Sequence, residues 1–278
     1  MDEKSNSQKK IINLFSNRNH KSFLVSNQIK KKFENKGYEV SEKYNNKALL
    51  NICVGGDGAF LRAVHNSCCS IIPFVGINTG NLGFYQEILT NEIDEFVERF
   101  ISGDYEIDRL SLVEARVYFK NSKKIARHYA INEFLVRAKE QSIVHLDVFI
   151  DGNHLETFAG DALIISTPSG STAYNFAAGG SILYNTLKGY QLTHLAPINS
   201  RSYRSLSNSV ILPSNAVLKT EVTKIDRNNE YLLIIDGINK YYKRSAIDYI
   251  EFGISKKHIN KLVFNKNWYW LNIKDKFL

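Results

Sequence analysis

The chain predicts two domains of different class, a parallel α/β domain followed by an antiparallel all-β domain. Three observations carry that prediction. In roughly the first hundred residues, a short apolar run, a glycine-rich loop and a helical stretch follow one another twice, the signature of a parallel sheet with crossover helices. Past residue 105 the helical period gives way to short β-branched and aromatic runs broken by Asp-Gly turns. Ten of the sixteen glycines fall in two windows: Gly55, Gly56, Gly58, Gly76, Gly80 and Gly83, then Gly160, Gly170, Gly179 and Gly180. Glycine concentrates where the backbone needs positive φ or must approach something closely, so the two clusters predict two ligand-facing loop systems.

Taken in order, residues 9–15 (KKIINLF) read as a strand. Residues 26–36 read as a helix, with Ser26 as N-cap, Val25, Ile29 and Phe33 spaced i, i+4, i+8, and Gly37 at its end. The apolar run 48–54 enters Gly-Gly-Asp-Gly as a buried strand would, and 59–65 continues as a helix. Residues 71–77 (IIPFVGI) repeat the pattern, enter the turn Asn-Thr-Gly-Asn-Leu-Gly, and lead to a helix near 91–102. In such sheets ligands bind beyond the carboxyl ends of the strands, where both glycine loops lie. Residues 111–119 and 143–150 are extended runs, Asp151-Gly152 is a hairpin turn, and short strands follow near 162–166, 209–212, 216–223, 231–235 and 247–252. Asp236-Gly237 is a second tight turn, and the aromatic tail NWYWLNIKDKF reads as a segment that packs back onto the body. The expected division is 1–105 for the α/β domain, 106–262 for the β domain, and 263–278 for the returning segment.

Composition narrows the function classes. The 278 residues are 44% hydrophobic and 23% charged, which is globular rather than disordered composition. There is no apolar run of about 18 residues, and the first ten residues hold no apolar stretch of signal-peptide length, so a soluble cytoplasmic protein that does not engage membranes is expected. Cys53, Cys68 and Cys69 lack zinc spacing and read as reduced thiols. Lys+Arg 36 against Asp+Glu 28 gives +8, which favours anionic ligands. The densest basic run, Lys30 to Lys32, reads as a solvated helix face, so no nucleic-acid partner is expected. Seven scattered histidines without His-x-His or His-Glu-x-x-His leave no cage for a transition metal.

The glycine loops exclude several chemistries. No glycine precedes Lys-Ser or Lys-Thr, so there is no P-loop. A dinucleotide fingerprint starting at Gly56 would need glycine where Leu61 stands. Ser169 has Thr167, not glycine, two residues before it, so it is no nucleophile elbow. What remains is Gly55-Gly56-Asp57-Gly58, one carboxylate with bare amide groups around it at a helix N-terminus, suited to a phosphate or ribose close to the backbone. The alternative is that Asp57 only caps the helix. Segment 166–175, Ser-Thr-Pro-Ser-Gly-Ser-Thr-Ala-Tyr-Asn, gathers five hydroxyls and Tyr174, donors and acceptors for a polyhydroxylated ligand, or else a serine-rich surface loop. Asn132-Glu133, after Tyr129-Ala130-Ile131, reads by itself as an exposed turn.

Together these segments resemble the NAD kinase family. The matching pieces occur in the family's order: Gly55-Gly56-Asp57-Gly58; Asn78-Thr79-Gly80-Asn81-Leu82-Gly83-Phe84; Asn132-Glu133; Gly160-Asp161; and Ser166 through Asn175. The likeness covers residues 48–265. Gly-Gly-Asp-Gly alone is shared with lipid kinases, whereas the long serine/threonine motif with Asn-Glu upstream is far more specific. The resemblance implies a Rossmann-like parallel sheet in the first domain, a β-sandwich in the second, an active site between them, and a homodimer or homotetramer. It implies transfer of the γ-phosphoryl group of ATP, delivered with Mg²⁺ or another divalent cation, to the 2′-hydroxyl of the adenosine ribose of NAD. It further implies that Asp57 orients that hydroxyl and accepts its proton, that Gly58 approaches the nucleotide, and that Phe84 flanks the site. By the same likeness Asn132 and Glu133 hold a nucleoside portion, while Asp161, Ser169, Thr172, Ala173, Tyr174, Asn175, Ala177 and Ala196 line the dinucleotide pocket. Three positions depart from the usual pattern: Ala59 where threonine is usual, Ala162 where glycine is common, and Ala159 where some relatives carry arginine. The competing readings are another Gly-Gly-Asp-Gly kinase acting on a lipid, and a non-catalytic dinucleotide-binding protein.

Overall fold

The computed structural model describes residues 9–80, 83–140, 142–201 and 204–278, so Asn81 and Leu82 of the second glycine turn lie outside the described residues. Met1–Arg109 together with His258–Leu278 form one compact unit, and Leu110–Lys257 form a second.

In the first unit the elements are β1 (Lys10–Ser16), α1 (His20–Asn35), β2 (Tyr38–Ser41), β3 (Leu50–Gly55), α2 (Asp57–Asn66), β4 (Phe74–Asn78), β5 (Ile88–Leu89) and α3 (Ile93–Ser102). The strands pair in parallel in the order β5, β4, β3, β1, β2. Every residue of β3 and of β4 is buried, as continuous apolar strands of a parallel sheet require. Helix α1 begins earlier than the sequence predicts. Asn19, not Ser26, is the N-cap, its side chain accepting the Ser22 N–H at 2.8 Å. The first turn carries exposed Phe23 and Leu24, which break the apolar period, while Ser26 is buried with Val25, Ile29 and Phe33. Gly37, at φ +82, follows the helix as expected. The core of this unit centres on Phe33, whose ring meets Phe96 and Phe100 edge-on.

The second unit takes most of β6 (Glu106–Phe119), then β7 (Ile125–Ala130), β8 (Glu133–Ala138), β9 (Val144–Ile150), β10 (Asn153–Gly160) and β11 (Ala162–Ser166). A 3₁₀ turn (Ser169–Thr172) and the single-turn α4 (Tyr174–Ala177) precede β12 (Gly189–Leu195), β13 (Val210–Pro213), β14 (Leu218–Val222), β15 (Glu230–Ile235), β16 (Ile238–Lys243) and β17 (Ile247–Val263). One antiparallel sheet runs β13, β12, β11, β8, β15, β16; in the other, β10, β9, β14 and β17 lie in order, with β6 on β17 and β7 on β6. Phe134, Leu163 and Tyr190 of the first sheet share one buried cluster with Leu146, Leu218 and Phe252 of the second, which makes the unit a β-sandwich. Both Asp-Gly turns are hairpin corners with positive φ at each residue, 50° and 82° at Asp151-Gly152, 46° and 85° at Asp236-Gly237. The end of β17 belongs to the first unit, where Lys261 pairs in parallel with Phe74, and the tail forms a helix, α5 (Trp268–Phe277).

Candidate active site

In the first unit, β3 delivers the chain into Gly55-Gly56-Asp57-Gly58. Gly55 has φ +153, and a Cβ there would lie 2.6 Å from the Asn17 side chain and 2.7 Å from the Ala59 Cβ, so only glycine fits. A Cβ on Gly56 would meet nothing within 4 Å, which leaves an open face beside the first turn of α2. Asp57 opens α2 but does not cap it. Its Oδ2 accepts the N–H of Phe84 and its Oδ1 that of Tyr85, both at 3.0 Å, so the carboxylate fixes the segment that follows the second glycine turn. Gly83 is required by this contact, since a Cβ there would lie 2.3 Å from Asp57 Oδ1. Gln86 ties the same segment back by donating to the Gly56 carbonyl at 2.8 Å. Glu87, buried with Lys261 at 3.1 Å and accepting the Phe264 N–H at 2.7 Å, anchors it from the other side.

Helix α5 reaches the same place. Tyr269 and Phe277 lie on the Phe84 ring at centroid distances of 6.2 Å each, and the Lys276 ammonium stands 3.7 Å from Asp57 Oδ2 and 4.6 Å from the Phe84 centroid. Asp57 is therefore accompanied by a cation that no local motif announces.

In the second unit, the serine/threonine loop and the Asn132-Glu133 turn fold against each other. The Thr167 N–H donates to the Asn132 carbonyl at 2.9 Å, its hydroxyl donates to the Ile131 carbonyl, and a Cβ on Gly170 would lie 2.1 Å from the Asn132 carbonyl oxygen. Of the five hydroxyls, those of Ser166, Thr167 and Ser171 are buried and bonded to backbone within the loop and its neighbours. Ser169 and Thr172 are half-buried, the Thr172 hydroxyl donating to the Ser169 carbonyl at 3.5 Å, with Tyr174 exposed beside them. The loop is thus held by its own hydroxyls, and fewer of them face outward than the sequence suggests. Asn175 is also fully buried, its amide taken by Thr193 at 2.7 Å and by the carbonyls of Ser171 and Ser181. Ala173 and Ala177 frame the short α4.

Asn132 and Glu133 are not an exposed turn. They are 8% and 7% exposed, because Asp236, in the turn after β15, accepts the N–H groups of Ile131, Asn132 and Glu133 at 2.9, 2.8 and 3.1 Å. That contact spans more than a hundred residues and leaves no local trace. Burial, and then the neighbouring Asp236 charge, push the Glu133 carboxyl up to about 8. Its Oε2 has no hydrogen-bond partner among the described residues.

Asp161 and Ala196 lie elsewhere. The Asp161 N–H donates to the Leu195 carbonyl at 3.0 Å, and β11 registers Ala162 against Leu195 at one end and Ser166 against Glu133 at the other. Both residues are exposed at the far end of β11 from Ser169, about 13 Å along the strand. The structure therefore gathers Asn132, Glu133, Ser169, Thr172 and Tyr174 into one group, Asp161 and Ala196 into another, and Asp57, Gly58 and Phe84 into a third in the first unit.

A parallel α/β unit with a Gly-Gly-Asp-Gly loop and a β-sandwich unit with a serine/threonine loop define a two-domain nucleotide kinase. Residues 4–105 match the model of the ATP-NAD kinase N-terminal domain, and residues 131–263 that of the ATP-NAD kinase C-terminal domain. The chain belongs to the NAD kinase family. It is 54% identical to the NAD kinase of Finegoldia magna over 275 residues, 98% of this chain and 100% of that protein. It is 34% identical to the NAD kinase of Staphylococcus carnosus, across 96% of this chain and 97% of the relative. Among solved structures, yeast NADH kinase complexed with NADH superposes with a TM-score of 0.84 at 19% identity, covering 96% of this chain and 87% of that one. An NAD kinase from Archaeoglobus fulgidus in complex with ATP gives 0.75 at 18%, covering 95% and 97%. At those identities the two structures speak for the fold.

Proposed function

We propose that the protein is an NAD kinase that transfers the γ-phosphoryl group of ATP to the 2′-hydroxyl of the adenosine ribose of NAD, giving NADP and ADP. The observation that carries this reading is Asp57, a carboxylate fixed by two N–H groups beside the open Gly56 face, in a chain whose relatives are NAD kinases along its whole length. In the transfer, the ribose oxygen forms a bond to the γ-phosphorus while its proton passes to Asp57. The bond from that phosphorus to the β–γ bridging oxygen breaks, and its electron pair leaves with ADP. Such transfer is mostly positioning and charge stabilisation, with little covalent work for the protein. Asn132 and Glu133 hold the nucleoside, with Ser169, Thr172 and Tyr174 beside them, while Ala173, Asn175 and Ala177 shape the loop.

Mg²⁺ enters with ATP. It would be held by the phosphate oxygens of ATP, and would neutralise charge on the transferring group. Because Asp161 and Ala196 stand a strand's length from Ser169, we assign the working enzyme as a homodimer or homotetramer in which a second copy completes the dinucleotide pocket. Exposed Tyr174, Phe176, Tyr184 and Leu187 support an interface there. Three free cysteines suit a reducing, cytoplasmic setting, and among the described residues no helix is long and apolar enough to cross a membrane.

The test is NADP formation from NAD and Mg-ATP by wild type and Asp57→Asn. Losing a positioned carboxylate base costs about 10²–10⁴-fold in turnover. Near-wild-type turnover in the variant would remove the assigned role of Asp57, and NAD binding without product would favour the non-catalytic reading.

A further inference from the structure

Asp236 does more than close a hairpin. Its carboxylate leaves the β15–β16 turn and grips the turn before β8, where Oδ2 accepts the Ile131 N–H at 2.9 Å and Oδ1 those of Asn132 and Glu133 at 2.8 and 3.1 Å. The grip is returned, for the Asp236 N–H donates to the Glu133 carbonyl at 3.1 Å. From the opposite side Thr167 holds the carbonyls of Ile131 and Asn132. The backbone of residues 131–133 is thus satisfied on both sides by groups distant in sequence.

We propose that Asp236 is a positioning residue for nucleoside binding, its carboxylate fixing the turn from which Asn132 and Glu133 reach the ligand. The assignment rests on reading those two side chains as the nucleoside contacts. The residue type is specific. The turn needs φ of +46° at this position, which aspartate and asparagine tolerate best after glycine, and only a carboxylate supplies acceptors on both oxygens for three donors.

Asp236 also sets the charge environment of Glu133. On the strands flanking β8, the registered neighbours of this end are Ser166 of β11 on one side, and Phe134's partner Ile235 of β15 on the other, both uncharged. The loop 167–172 carries no charged residue, which leaves the Asp236 carboxylate as the charged neighbour. Burial first, and then this like charge, raise the Glu133 carboxyl to about 8, which favours its neutral form at neutral pH and leaves Oε2, without a partner among the described residues, for the ligand.

The experiment uses the full chain as wild type, Asp236→Asn and Glu133→Gln. KM for NAD, KM for ATP and kcat are measured from about pH 6 to about pH 9.5, with the unfolding midpoint recorded for each. In Asp236→Asn, KM for NAD rises about tenfold or more, KM for ATP stays within about twofold, and kcat within about threefold. The alkaline midpoint of the wild-type NAD profile, near the 8 of Glu133, moves to lower pH in Asp236→Asn and disappears in Glu133→Gln. A folded Asp236→Asn with unchanged KM for NAD and an unchanged midpoint overturns the proposal. Should that variant not fold, Asp236→Glu, which keeps both acceptor oxygens but displaces them by one methylene, takes its place, and an unchanged KM for NAD in it overturns the proposal. A wild type that does not phosphorylate NAD sinks the functional reading, whereas an active wild type with an unaltered Asp236→Asn sinks only the role of Asp236.

Discussion

The ammonium of Lys276, two residues from the end of the chain, stands 3.7 Å from Oδ2 of Asp57 while lying 4.6 Å above the ring of Phe84. Helix α5 therefore ends against the carboxylate assigned as proton acceptor, held there by an ion pair and by aromatic contact. The two differ in weight. Both side chains of the ion pair are about a third exposed, at 30% and 29%, so solvent screens it and it stabilises the fold by under about 1 kcal/mol. The Phe277 ring against Phe84 removes apolar surface from water and is worth about 1–2 kcal/mol. Urea unfolding of Lys276→Met and Phe277→Ala should therefore show the larger loss in Phe277→Ala. The reverse order would mean the ion pair, not the ring, secures α5.

Two glycines outside the Gly-Gly-Asp-Gly loop should separate activity from stability. A Cβ on Gly83 meets the Asp57 carboxylate at 2.3 Å, the end of a side chain that can swing away. Gly83→Ala is expected to fold and to lose turnover, because Asp57 must leave the N–H groups of Phe84 and Tyr85. A Cβ on Gly170 meets the Asn132 backbone at 2.1 Å, which cannot yield without moving the turn. Gly170→Ala should lower the melting temperature by several degrees, about 1–3 kcal/mol of overpacking. Thermal melts beside single-turnover assays check both, and a Gly83→Ala enzyme with full turnover would show that the carboxylate need not stay where it is.

The parallel sheet and the β domain were legible because their signals are local. An apolar run entering glycines, and Asp-Gly between extended runs, depend on neighbours in sequence. Asp57 stood out as a candidate for the same reason, its glycine neighbours being adjacent in sequence. Helix α1 was misread at its start because Ser26 followed by Ile29 imitates a cap, while the true cap, Asn19, precedes a turn whose Phe23 and Leu24 point to solvent. The five hydroxyls of the serine/threonine loop look alike in sequence, and only the fold shows that Ser166, Thr167 and Ser171 are consumed by backbone groups. The contacts of Asp236 and Lys276 left no signal in the sequence, since their partners lie 104 and 219 positions away, at Asn132 and Asp57.

The three free cysteines should react in a fixed order. Cys53 is fully buried in β3 and burial pushes its thiol up, which suppresses the thiolate that alkylating agents need. Cys69 is buried and Cys68 exposed. Iodoacetamide on the native protein should label Cys68 first, with Cys53 labelled only on unfolding, as peptide mass analysis would reveal. Early labelling of Cys53 would mean that β3 opens under native conditions.

Glu133 makes the stability of the fold depend on pH in one direction. Its carboxyl is raised from 4.5 to about 8, first by burial and then by the Asp236 charge. Between those values the unfolded chain releases the proton and the folded chain keeps it. The folded state then binds more protons, so stability falls as pH rises through this window and levels off above it. Glutamine at this position has no proton to lose and keeps the shape of the neutral acid. The melting temperature of Glu133→Gln relative to wild type should therefore climb from about pH 5 to about pH 8 and stay level beyond. A difference that is flat across that range would show that Glu133 is ionised in the folded protein, with water or a cation reaching the space beside Oε2.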